Sequence, residues 1–260
     1  MPELLEVEAY RLLAERVVGN RIESVETPDG WFLKHTTAAA VRDALTGAKV
    51  ASTDRIGKLL LVHLEPGRPV LGLRFGMTGR LLIDGEGPID RLEYAPGRDN
   101  PGWDRFGLWL DDGRHLRVTD PRRLGGVELD PDTTKMGVDA TKLTRSQLRD
   151  VLSGSRAQLK ARLLDQARIA GLGNLLVDEI LWRSDLDPSR EAASLDEEEI
   201  ARLATRIRST VALLGRRGGS NKGDLQEHRH RDGRCPRDGA TLARLSVGGR
   251  TTYWCPTHQV

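Results

Sequence analysis

Leu4, Leu5, Val7, Leu12, Leu13 and Val17 recur at helical spacing, and Gly19 follows as a stop, so the pattern predicts one amphipathic helix over residues 3–18. The period then shortens to that of strands. Apolar runs at Leu59–Leu64, Val70–Phe75, Arg80–Ile83, Phe106–Leu110, His115–Thr119 and Val127–Leu129 read as β, with Asp112-Gly113 as a tight hairpin signal. Asp84 to Pro101, rich in Gly, Pro and Asp, reads as a surface loop. The N-terminal half is therefore expected to be a helix packed on an antiparallel β-sandwich or barrel.

Asp130-Pro131-Asp132 opens a polar linker, after which the pattern turns helical, at about 144–153, 155–167, 175–184 and 195–214. Thr144-Arg145-Ser146-Gln147 and Ser194-Leu195-Asp196-Glu197 both fit a capping box. Gly218-Gly219-Ser220 ends the helices, and the last forty or so residues are polar and turn-rich, too few to hold a core by burial alone. The fold class expected is α+β and multidomain. Its parts are residues 1–132, a helix on a β-sandwich; 133–220, a helical domain; and 221–260, a small hairpin module.

Composition narrows the classes. Charged residues make up 30% of the 260, yet the net charge is only +2, so attraction to nucleic acid must come from where the arginines lie. Leu59-Leu60-Leu61-Val62 is the longest aliphatic run, far short of a membrane span, and Glu3, Glu6 and Glu8 exclude an apolar signal core. A soluble, cytoplasmic, monomeric protein is expected. Cys235 and Cys255 are too few for a disulfide framework.

Candidate chemistry begins at the N-terminus. Removal of Met1 would leave Pro2 a free secondary amine at a helix start, beside Glu3 and one turn from Glu6. An amine next to a carboxyl group suits nucleophilic attack on a sugar C1′ with acid assistance. With Met1 attached, the nitrogen is an amide and inert. The same residues also suit an ordinary helix start, since Pro is favoured there and acids complement the dipole.

Further along, Gly171 and Gly173 flank a turn ahead of Asn174, where a helix N-terminus would favour a phosphate, with Lys160 a turn before the preceding helix ends. A plain helix–helix connection has the same spacing. Cys235-Pro236-Arg237-Asp238 and, after sixteen intervening residues, Cys255-Pro256-Thr257-His258 have the spacing of a zinc ribbon, in which Cys235, Asp238, Cys255 and His258 would be the ligands. Two free thiols or a disulfide are the alternatives, and His228 and His230 are nearby substitutes for Asp238. Arg250, at the hairpin between those pairs, fits a phosphate contact or a solvated charge. Two turns, Phe75-Gly76-Met77-Thr78-Gly79-Arg80 and Asp120-Pro121-Arg122-Arg123-Leu124-Gly125, offer an apolar wedge and an arginine, as filling the gap left by an everted base requires. Lys58 opens a strand as a phosphate ligand or an exposed charge.

Taken in order, these pieces resemble the formamidopyrimidine-DNA glycosylase and endonuclease VIII family of base-excision repair enzymes. The matching residues are Pro2-Glu3-Leu4 with Glu6-Val7-Glu8, Lys58, Gly76-Met77-Thr78-Gly79, Asp120-Pro121-Arg122-Arg123, Lys160, Ile169 to Asn174, Asp178-Glu179 and the C-terminal ribbon, from residue 2 to residue 259. The resemblance implies a helix–two-turn–helix and a zinc-finger hairpin in the second half. It implies a bifunctional glycosylase and abasic-site lyase acting on double-stranded DNA that carries a damaged base or abasic site. Pro2 would be the nucleophile, Glu3 the general acid, Glu6 a support for the helix and Lys58 the holder of the adjacent phosphate. Met77, Arg122 and Leu124 would fill the void. Lys160, Asn174 and Arg250 would clamp phosphates, and one structural zinc would sit in the finger. A lesion-binding protein of the same fold without turnover is the alternative, against which intact Pro2, Glu3 and Lys58 argue.

The chain departs from the family pattern at several points. Leu5 stands for a usual proline, Leu124 for a usual phenylalanine, and Asp238 and His258 for two cysteines. Gly218 to Cys235 is short for a loop that caps 8-oxoguanine, so the resemblance leans to oxidised pyrimidines and formamidopyrimidines. His230-Arg231-Asp232-Gly233 and Tyr253-Trp254 look more like endonuclease VIII, and Met77 and Arg122 like the formamidopyrimidine branch.

Overall fold

The computed structural model describes residues 2–89, 92–93 and 100–260. Met1 and most of the second half of the expected Asp84–Pro101 loop lie outside them. The chain divides into two compact units, Met1–Thr134 and Lys135–Val260.

In the first unit, α1 (Leu4–Ala14) is followed by β1 (Ile22–Glu26), α2 (Ala38–Leu45), β2 (Val50–Ile56), β3 (Leu59–Leu64), β4 (Leu71–Arg74), β5 (Arg80–Ile83), β6 (Asp104–Leu110), β7 (His115–Thr119) and β8 (Gly126–Leu129). Two four-stranded antiparallel sheets form, ordered β1-β6-β7-β5 and β2-β3-β4-β8. They share one apolar core, to which Val7, Tyr10 and Leu13 of α1 contribute. This is the helix on a β-sandwich read from the periodicity. The helix is shorter than expected, because Glu15–Val17 tightens into a 3₁₀ turn before Gly19, whose φ of +94° ends it.

The second unit contains β9 (Val138–Asp139), α3 (Arg145–Leu152), α4 (Leu159–Leu164), β10 (Ile169–Ala170), α5 (Asn174–Ser184), α6 (Glu197–Arg217), and the hairpin β11 (Ala243–Val247) and β12 (Arg250–Trp254). The Thr144/Gln147 capping box is present. The second box belongs to Asp196 and Glu199, not to Ser194 and Glu197, because the Glu197 carboxylate is engaged by Arg145 and Arg149. The helix expected over 155–167 shrinks to α4. Leu159 donates its N–H to Arg190 O at 2.7 Å, which ties the preceding segment to residues 187–194, and Asp165 leaves helical geometry. Around the hairpin, Trp182, Leu225, Cys235, Leu242 and Cys255 form a separate small apolar cluster. Among the described residues no helix is long and apolar enough to cross a membrane.

Candidate nucleic-acid interface and metal centre

In the first unit, Pro2, Glu3 and Glu6 are buried together at the start of α1. The Glu3 N–H donates to Glu6 Oε2 at 2.8 Å, half of a reciprocal capping box. The carboxylate of Glu6 thereby fixes the peptide that follows Pro2 and completes the helix N-terminus. Lys58 lies half-buried in the β2–β3 turn after Gly57, whose φ is +57°. Arg55 ties that turn to α1: its Nη1 donates to Gly57 O at 2.8 Å and its Nε to Glu8 Oε2 at 3.0 Å. The sequence reading missed Arg55, although a buried arginine three residues before a candidate lysine is the kind of group that sets such a turn.

The two turns expected to supply the wedge are bound to each other. Asp120 is fully buried and accepts from Thr78 Oγ1, from the N–H of Arg122 at 3.1 Å, and from those of Leu124 and Gly125 at 2.8 and 2.9 Å. Gly76, at φ +54°, lies so close to Leu124 that an added Cβ would meet its carbonyl carbon at 2.5 Å. Met77 thus sits on a turn locked against the turn that carries Arg122 and Leu124. Arg122 is exposed, and Leu124 is one of the few large apolar side chains left in solvent, at 52%. Tyr10 joins this pair of turns to α1. Its ring packs on Phe75 at 4.5 Å and its hydroxyl donates to Gly79 O at 3.3 Å. Burial, and next the Glu6 charge, push its phenol far above the usual range, so it stays a neutral strut.

In the second unit, the connection between α4 and α5 is braced by Gln166, which accepts from Gly171 N at 3.0 Å and donates to Leu164 O and Leu172 O. Asn174 opens α5 and donates to Thr251 O at 3.1 Å, next to exposed Arg250 at the start of β12. Lys160 departs from expectation. It is fully buried, and its ammonium donates to Asp178 Oδ1 at 2.6 Å, Thr252 Oγ1 at 2.7 Å and Thr251 O at 3.3 Å. A buried ammonium with these partners cannot also face a phosphate, so the geometry makes Lys160 an internal strut under the Asn174–Arg250 surface. Asp178 also accepts from Arg229 at 2.9 Å, and Glu179 accepts from Arg183, Asp224 N and Leu225 N.

Cys235, Asp238, Cys255 and His258 converge, with their ligand atoms within 4.8 Å of one another, and could hold a metal ion. Neither cysteine is in a disulfide. Tetrahedral zinc, with bonds of roughly 2.0–2.3 Å, separates its ligands by about 3.3–3.8 Å. Cys255 Sγ to Asp238 Oδ2, at 3.3 Å, and Cys235 Sγ to His258 Nδ1, at 3.9 Å, lie close to that range, whereas Asp238 Oδ2 and His258 Nδ1, at 2.7 Å, are hydrogen-bonded to each other and would have to part by about 0.6 Å to share an ion. The hydrogen bond from His258 holds the Asp238 carboxyl well below the usual carboxylate range, while burial pushes the Cys255 thiol up.

Family models match two stretches of the chain, the formamidopyrimidine-DNA glycosylase N-terminal domain over residues 1–127 and the formamidopyrimidine-DNA glycosylase H2TH domain over 131–221, which leaves Arg250 and the four candidate metal ligands outside them. The chain belongs to the formamidopyrimidine-DNA glycosylase family. Among family relatives, the formamidopyrimidine-DNA glycosylases of Symbiobacterium thermophilum and Chelativorans sp. are 35% and 36% identical to it, across the full chain and 89% and 100% of their own lengths. In three dimensions it is similar to Lactococcus lactis Fpg in complex with Fapy-dG-containing DNA, with a TM-score of 0.84, 28% identity and 99% of both chains covered. Lactococcus lactis Fpg with DNA containing an abasic site superposes at 0.83, with 27% identity and the same coverage. The family match thus spans both units that carry the candidate residues.

Proposed function

We propose that the chain is a bifunctional DNA glycosylase and abasic-site lyase of base-excision repair, acting on double-stranded DNA that contains a damaged base or abasic site. The observation that carries this reading is Pro2 and Glu3 buried at the head of α1, with Glu6 fixing the peptide between amine and helix. Once Met1 is removed, Pro2 N attacks C1′, the glycosidic bond breaks, and the departing base takes a proton. Glu3 assists opening of the sugar ring. The resulting iminium acidifies the C2′ proton, whose loss expels the 3′ phosphate, and a second elimination expels the 5′ phosphate. Lys58, on the turn set by Arg55, holds the phosphate beside the lesion. Met77, Arg122 and Leu124 enter the void left by the everted base. Asn174 and Arg250 bind phosphates from the second unit.

Cys235, Asp238, Cys255 and His258 hold one structural zinc, which would order a module whose own apolar cluster is small. Oxidised pyrimidines and formamidopyrimidines are favoured over 8-oxoguanine. The segment after Gly218 is short, and its turn at Gly223–Leu225 is pinned to Glu179 of α5, which leaves little chain to close over a purine. Borohydride trapping on an abasic-site duplex with Met1 removed is expected to give a covalent adduct, and its absence sinks the lyase step. Glu3→Gln is expected to lose base excision on a panel of thymine glycol, 5-hydroxyuracil, formamidopyrimidine and 8-oxoguanine duplexes.

A further inference from the structure

Arg123, between Arg122 and Leu124, has φ +56°, a left-handed conformation unfavourable for a residue with a side chain. A buried carboxylate restrains it. Asp29 accepts from Arg123 Nε at 2.6 Å and from Nη2 at 2.7 Å, a bidentate pair. The Arg123 bond is the main reason the Asp29 carboxyl sits below its ordinary range. Asp29 also caps the turn Gly30–Phe32 through Trp31 N at 3.1 Å, and Arg105 approaches it at 3.6 Å. Arg105 in turn donates to Asp120 O at 2.8 Å. The strained residue is thus held on one side by Asp29, while Asp120 holds the N–H groups of Arg122, Leu124 and Gly125 on the other.

We propose that Asp29, acting through Arg123, is a positioning residue for discrimination of the base opposite the lesion: the latch fixes the turn from which Arg122 and Leu124 project. This rests on the reading that those two side chains contact the orphaned base. The ion pair is not a fold requirement of either sheet, since Arg123 is half exposed and lies in a loop. What it sets is a direction, that of its two neighbours.

Single-turnover nicking of abasic-site duplexes carrying each of the four bases opposite tests it. Asp29→Asn keeps the shape and the cap to Trp31 but removes the charge. Arg123→Gly removes the guanidinium while accepting the backbone angle, so it retains folding. Both variants are expected to compress the best-to-worst ratio by roughly tenfold, in keeping with the rate cost of small misplacements. The double variant is expected to be no worse than either single one. A uniform slowing of all four duplexes with the ratio intact marks a structural role and overturns the proposal. Arg122→Ala separates the two layers. A ratio that survives Arg122→Ala overturns the base-contact reading and the latch with it; a ratio lost there but kept in Asp29→Asn overturns the latch alone.

Discussion

Replacing Lys160 by Met tests its assignment as an internal strut against the phosphate clamp that the sequence led us to expect. Methionine fills the same volume without charge. The change removes the donor to Asp178, Thr252 and the Thr251 carbonyl, all within 3.3 Å of the ammonium. Removing one member of a buried ion pair costs roughly 3–5 kcal/mol when the other is left uncompensated. Here Asp178 keeps Arg229 at 2.9 Å, which places the cost near the lower end, about 3 kcal/mol. For a unit of this size that corresponds to a melting point lower by roughly 10 °C. Circular dichroism melting measures it. In parallel, log Kd for a duplex with a tetrahydrofuran site is plotted against log salt well below the melting point. A lost phosphate contact flattens that slope by about 0.9 per contact, whereas loss of a strut leaves it unchanged. An unchanged melting point with a flatter slope would refute the buried-strut assignment and restore Lys160 to the interface.

Gly76→Ala is expected to decouple the two turns, since a Cβ there meets Leu124 backbone at 2.5 Å in a conformation that disfavours side chains; the melting temperature should fall, and binding to the same duplex, measured well below it, should weaken at least tenfold. Asp29 has a folded pKa depressed by Arg123, so its contribution to stability is complete above the unfolded value near 4 and is lost as pH falls through the lower folded value. Urea unfolding between roughly pH 2 and 7 should therefore show a steeper acid decline for the wild type than for Asp29→Asn; parallel curves would contradict the latch. Chelation of metal should lower the melting point of the second unit and zinc should restore it, with about one zinc per chain by mass spectrometry; less than half a zinc would exclude the Cys-Asp-Cys-His site.

Much of the architecture was legible from period alone, because β3, β4 and β7 are apolar runs or alternations whose burial follows the sequence directly. What stayed hidden was polar. β1 exposes three of its five residues and β2 buries only Val50 and Arg55 of its seven, so Ile22–Glu26 and Val50–Ile56 lack a strand signature, and they exist because neighbours pair with them. α2 is short, and its signal was the Thr37 cap, which accepts from Ala40 N at 3.2 Å. At the site, residue types at family positions pointed to Pro2, Glu3, Met77 and Arg122, and ligand spacing pointed to the four residues that could hold a metal ion. The residues that orient them, Arg55, Asp29, Tyr10 and Gln166, act across long sequence separations that only the folded chain closes. Lys160 shows the converse: a cation in a basic-looking segment reads as a surface group until its buried partner, Asp178, is seen beside it.

The Tyr10 bridge bears on timing. The head of α1 carries Pro2, and the turn with Met77 is joined to the same helix by the Tyr10 phenol and its ring contact to Phe75. Under the proposed function, a Met77 side chain that enters the duplex from that turn and a Pro2 amine that attacks the sugar would share one mount. Insertion and presentation of the nucleophile would proceed as one event, and stopped-flow fluorescence from 2-aminopurine beside the lesion should show both in a single phase. Two resolved phases in the wild type would break that link, whereas their appearance only in Tyr10→Ala would show the phenol acting as the clockwork between searching and reacting.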